Sequence, residues 1–161
     1  MKYTMKKIKF LADLKKKGVL EIVEPSEEIK KSYLKKSESN LESAKILLNS
    51  YKLEESIALS YYSMYNLVLA LFFKCGIKCE NHSAAIIILK EIFEIDNSEI
   101  SEAKEERIDK QYYIEFYLNK GDVLKSISIT ERFNRYIRDF ISKLDFEKIE
   151  QYKRKLKEAM S

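Results

Sequence analysis

Residues 59–83, LSYYSMYNLVLALFFKCGIKCENHS, decide how this chain is read. From Ser56 to Phe73 no residue carries a charge, and a helix apolar on every side belongs at the centre of a bundle. Its middle nonetheless holds Tyr61, Tyr62, Tyr65 and Asn66. A buried hydroxyl or amide without a partner costs on the order of 1–3 kcal/mol. Either the tyrosine hydroxyls reach an edge of the core, or this helix lines a polar site. The run is also near the ~18 residues that a membrane-spanning helix needs. Ser56, Ser60, Ser63, the three tyrosines and Asn66, with no second apolar span to hide them, favour a central bundle helix and no membrane partner.

Working outward, the chain has one proline and three glycines in 161 residues, so few positions break a helix. Lys, Glu, Leu, Ile and Ser dominate, which predicts an all-α fold. A chain of this length is most simply one domain, large enough to bury its own core. Residues 5–17 read as a short amphipathic helix with Ile8, Leu11 and Leu14 inward, ended by Gly18. VLEIVEPS then runs extended to Ser26, an N-cap with Glu27 and Glu28 behind it. A second helix reaches about Ser50, its stripe Ile29, Tyr33, Leu41, Ala44 and Leu48. The central helix spans 53–75 and is closed by Gly76. A fourth helix starts near His82 or Ser83 and ends about Phe93, and another begins near 99 after an Asn97 or Ser98 cap. NKGD breaks the chain, Asp122 caps a long helix with the stripe Val123, Ile127, Thr130, Ile137, Phe140 and Leu144, and 145–159 continues as a charged helix carried by Phe146, Ile149 and Leu156. The expected architecture is an up-and-down helical bundle of five or six helices. Within it, 1–24 is a basic helix and lead-in, 26–144 the core bundle and 145–161 a charged C-terminal helix.

Charge and cysteines narrow the function classes. The formal net charge is +4, and residues 1–24 account for it, with seven lysines against Asp13, Glu21 and Glu24. Such a patch suits an acidic partner or a phosphate backbone. No long apolar segment follows the first lysines, and Cys75 and Cys79 are the only cysteines, so a reducing cytoplasm is expected. CGIKC with His82 supplies three of the four ligands a structural zinc requires. His82 is the single histidine of the chain, so no metal is expected and the cysteines read as small apolar fillers.

The chain contains no P-loop, no glycine-rich phosphate cradle and no carboxylate–histidine cluster. Two polar places remain. On the central helix Glu55, Tyr62 and Asn66 share a facet, while Ser56, Ser60 and Ser63 form a small-residue face suited to close helix packing. The second place is ERIDKQYYIEFY, residues 106–117, where Arg107 and Lys110 stand among Tyr112 and Tyr113. An arginine with half-buried tyrosines is ordinary at a wet edge, and equally suits an anion.

The order of these signals resembles the HEPN domain (higher eukaryotes and prokaryotes nucleotide-binding) in its small stand-alone prokaryotic form. SEEIKKSYLKKSESNLESAKILL, residues 26–48, is similar to that family's first bundle helix. ALSYYSMYNLVLALFFKCGIKCENHS resembles its central signature of two tyrosines, a small residue, methionine and an aromatic, followed by a glycine and a histidine–serine pair, here Gly76, His82 and Ser83. RIDKQYY resembles its later arginine–tyrosine segment, with Arg107 and Tyr112 at the matching spacing.

The resemblance implies a helical bundle that often dimerises and pairs with a minimal nucleotidyltransferase in a toxin–antitoxin-type system. Some members are metal-independent ribonucleases whose arginine is followed four to six residues on by histidine. The arginine clamps the phosphate and the histidine takes the ribose 2′-OH proton. Here Arg107 is followed by Tyr112 and Tyr113 instead, and Asn66 stands where relatives often carry histidine. A tyrosine hydroxyl, with an ordinary pKa of about 10, is a poor general base near neutrality.

The expectation is therefore a cofactor-free binding protein with a nucleotide or RNA groove formed by Arg107, Lys110, Tyr112, Tyr62 and Asn66. In it Tyr61, Tyr62, Tyr65 and Asn66 form a wall facing Arg107 and Tyr112, closed by a second copy or a partner. The alternatives are an endoribonuclease using Arg107 with Tyr112 or Tyr113, and a structural helical adaptor.

Overall fold

The computed structural model describes residues 4–112 and 117–161, the side chains of 109–112 excepted. In chain order it holds α1 (Met5–Lys16), β1 (Leu20–Ile22), α2 (Glu27–Asn49), α3 (Leu53–Cys75), β2 (Ile77–Cys79), α4 (His82–Glu91), α5 (Ser98–Tyr112), α6 (Lys120–Ser142) and α7 (Phe146–Ala159). The fold is all-α as expected, with seven helices among the described residues rather than five or six. The last one starts afresh instead of continuing α6, because Asp145 turns the chain and its carboxylate accepts from the Lys148 backbone N–H at 2.9 Å.

The α3 helix is the axis of the bundle. It is apolar and long enough to cross a membrane by composition, yet 78% of its most apolar window is buried against other elements of the chain. The α2 helix packs along it through small residues. Ser37 and Ser63 exchange hydroxyl-to-carbonyl hydrogen bonds at 2.7 Å in both directions, and Ser56 donates to the Ala44 carbonyl at 2.6 Å. Small side chains bring the two backbones close, and each of these hydroxyls is satisfied by the neighbouring helix. From α6, the Asn134 amide donates to Ser63 Oγ at 2.9 Å, so one serine ties three helices.

Gly76 turns the chain back along α3. Its φ of +75° is the left-handed cap that ends the helix, and an added Cβ would lie 2.4 Å from the Val23 carbonyl oxygen. From there β2 pairs antiparallel with β1, with Leu20 opposite Cys79, Glu21 opposite Lys78 and Ile22 opposite Ile77. Between Tyr65 and Cys75 the helix rises about 15 Å. Six extended residues after Gly76 reach about 20 Å, enough to return α4 to the middle of α3.

Several expected details are corrected. The lead-in before Ser26 and the CGIKC segment form a two-stranded pair that periodicity did not reveal. Ile29 and Phe146 point to solvent, 40% and 79% exposed. The α6 helix begins at Lys120, so NKGD starts it rather than breaking the chain. Its cap is Asn119, and Asp122 is the reciprocal partner of a capping box, accepting from the Asn119 N–H at 3.1 Å. The α6 stripe also includes Phe133, Asn134 and Ile141, Phe140 is only partly covered, and Leu144 lies past the helix end, partly covered as well.

Candidate functional site

The middle of α3 meets the first turn of α4 and the second half of α5. Tyr61 is fully buried and Tyr65 nearly so, while Tyr62 is half-exposed. His82 is the first residue of α4, held there by Asn81, whose side chain accepts from the Ala84 N–H at 2.9 Å. The Tyr65 ring stacks on the imidazole with 3.8 Å between centroids and 10° between planes. Tyr61 Oη lies 2.6 Å from His82 Nδ1. The tyrosines at 61 and 65 are one helical turn apart, so two rings from one face grip a single imidazole.

From α5, the Arg107 guanidinium sits in the notch between Tyr61 and Tyr62, its carbon 5.3 Å and 5.4 Å from the two ring centroids. Its Nη1 donates to Tyr62 Oη at 3.3 Å. One turn earlier Lys104 Nζ donates to Ser83 Oγ at 2.6 Å. Two cations from α5 thus flank the first two residues of α4. Rings beneath a guanidinium stabilise it by about 0.5–2 kcal/mol and fix its plane.

The electrostatics follow from this packing. Burial holds the His82 pKa below its ordinary 6.5, and the Arg107 and Lys104 charges lower it further. Burial pushes the Tyr61 and Tyr65 hydroxyls far above the usual phenol range, so both stay protonated. The imidazole is therefore neutral near pH 7.

Of the expected site residues, the structure brings Arg107 and Tyr62 together. Asn66 is buried, 8% exposed, one turn along α3, and the hydrogen bonds among described residues include none from its amide. Lys110 and Tyr112 belong to the last turn of α5, their side chains outside the description, and Tyr113 lies outside the described residues altogether. Within the single chain, His82 stacks on Tyr65 and Arg107 lies over Tyr61 and Tyr62, so Tyr61 and Tyr65 are already buried while Tyr62 is only partly covered.

His82, Ser83 and Lys104 are the members that the sequence did not place in the site. The signal was present in two features: tyrosines at i and i+4 on an apolar helix, and a lone histidine after a glycine reversal and a short strand. Cys75 and Cys79 lie in the core, their thiols pushed up by burial to about 12 and about 11. Among the described residues no group of three or more His, Cys, Asp or Glu side chains is placed to hold a metal.

Comparison with curated proteins gives no match. Comparison with protein families matches the HEPN domain over residues 30–144, which contain all of α3, α4, α5 and α6 and nearly all of α2. The chain belongs to the HEPN domain family.

Proposed function

We propose that this protein is a binding module that holds a phosphate group of a nucleotide or RNA at Arg107. The observation that carries this is the guanidinium seated between Tyr61 and Tyr62 and hydrogen-bonded to the Tyr62 hydroxyl. A guanidinium oriented by rings presents planar donors matched to phosphate oxygens, and half-exposed Tyr62 offers a face on which a base stacks. Lys110 and Tyr112, on the same helix, extend the site along a ligand in this proposal. The test is binding of adenosine 5′-monophosphate and a short oligoribonucleotide to wild type and Arg107→Ala. A loss of tenfold or more supports the assignment, and unchanged affinity in a folded variant removes it.

The family resemblance extends the proposal to a homodimer in the cytoplasm, paired with a minimal nucleotidyltransferase in a toxin–antitoxin-type system. Co-expression with such an enzyme encoded next to this chain tests the pairing, and failure to co-purify ends it.

One observation favours a second function, metal-independent endoribonuclease. His82 stands close enough to Arg107 to feel its charge, and in this reading the imidazole, neutral near pH 7, takes the 2′-OH proton in place of the histidine missing after Arg107. RNA cleavage in the presence of chelator, lost in both Arg107→Ala and His82→Gln, supports it. Intact RNA after long incubation excludes it.

A further inference from the structure

Three basic side chains from two helices converge on one place: Arg107 and Lys104 from α5 and His82 from α4. Arg107 is tied to Tyr62 at 3.3 Å and Lys104 to Ser83 at 2.6 Å, so both charges are held close to the imidazole rather than waving in solvent. The groups packed around His82 are Tyr61 and Tyr65 on α3, which stay neutral, Tyr62 at its edge, and the two cations of α5. The neighbouring carboxylate of Glu80 is engaged by Lys78 at 3.3 Å. Glu99, Glu102 and Glu106 line the other side of α5, in a small cavity with Ser126, Ile129 and Thr130 of α6. Among the described residues, the charges that shift the imidazole in the empty site are those of Arg107 and Lys104, both positive.

We propose that His82, Lys104 and Ser83 complete the phosphate site of Arg107, and that a bound phosphate draws a proton onto His82. This rests on the binding function proposed above and adds its remaining residues and its proton balance. A phosphate seated between Arg107 and Lys104 reverses the sign of the field at the ring. Imidazolium then becomes the favoured form, because an opposite charge within a few ångströms outweighs the two cations behind it. Tyr61 occupies Nδ1 in either protonation state, accepting from Nδ1–H once the ring is charged, which leaves Nε2 for the ligand. The Ser83 hydroxyl, now accepting from Lys104, retains its own proton to donate.

The linkage has a definite sign. The pKa of His82 starts below 6.5 in the empty site and rises on binding, so affinity is highest below the empty-site pKa. It falls as pH rises through the window between the two values, by up to about tenfold per pH unit for one proton. The ligand's own titration must be separated from this. A monoester gains its second charge near pH 6, whereas a diester keeps one charge throughout.

The chain has one histidine, so its imidazole proton resonance is unambiguous. The experiment follows that resonance from pH 4.5 to 8.5 in the full chain, alone, with adenosine 5′-monophosphate, and with a short oligouridylate lacking terminal phosphates. The same pH series measures affinity for wild type, Lys104→Ala and His82→Gln. The expected result is a His82 pKa that rises by a unit or more on saturation, with His82→Gln binding the diester at a pH-independent affinity. Lys104→Ala weakens binding several-fold and raises the empty-site pKa. A rise with the oligonucleotide alone assigns the site to internal diesters, and with the mononucleotide alone to terminal phosphate. Binding with an unmoved His82 pKa overturns this inference while leaving the binding function intact. Failure of both probes to bind overturns the binding function and, with it, this inference.

Discussion

Tyr65 lies flat on His82, 3.8 Å from ring centre to ring centre, and the Tyr61 hydroxyl meets the same imidazole at 2.6 Å. This packing makes the histidine part of the fold as well as of the site, and gives stability a pH dependence. In the unfolded chain His82 titrates near 6.5, and in the folded chain burial and two cations hold it lower. Between those values the unfolded state binds more protons, so stability rises with pH through the window and is flat above about 6.5. Wild type should lose melting temperature between pH 7 and pH 5 faster than His82→Gln does. Parallel curves would show that the ring is not desolvated.

The serines of α3 divide into satisfied and unsatisfied hydroxyls. Ser63 Oγ donates to the Ser37 carbonyl and accepts from the Asn134 amide, so Ser63→Ala strands that amide in the core, removes a donor from the carbonyl and should cost about 1–3 kcal/mol. Ser60 Oγ is buried without a hydrogen-bond partner among the described residues, so Ser60→Ala should be neutral or slightly stabilising. Denaturant unfolding of the two variants compares them directly. Equal losses would contradict the hydrogen-bond assignment.

Gly76→Ala should destabilise by at least about 1–3 kcal/mol, since it combines a left-handed φ with a carbonyl oxygen 2.4 Å from the new methyl. Because this residue returns α4 to α3, the variant should also weaken phosphate binding. Thermal unfolding and the nucleotide titration together check it, and a fully stable variant would contradict the turn geometry.

How much was legible depended on how local each signal was. The apolar run 56–73 identified the central helix, and Ser26 and Gly76 marked their helix ends, because caps and periodicity act within one turn. Arg107 and Tyr62 are legible because each is a polar residue at an unusual place in its helix. His82 reads as a lone member of an incomplete zinc set, and nothing in 107–113 points 25 positions back to it. Its place follows from the strand pair 20–22 and 77–79, a long-range contact that a three-residue strand is too short to announce. Ile29 and Phe146 were misplaced for the opposite reason. Each lies at a helix start, beyond the reach of the core, where periodicity continues but the partner does not.

The most direct test of the central claim is the affinity of a short oligoribonucleotide for wild type, Arg107→Ala and Arg107→Lys, at low salt, pH 6 and with chelator present. If the ring-held guanidinium is the phosphate clamp, Arg107→Ala should bind at least tenfold more weakly. Arg107→Lys should recover only part of that loss, because an ammonium keeps the charge but not the planar donors. Wild-type affinity in a folded Arg107→Ala protein would contradict the account.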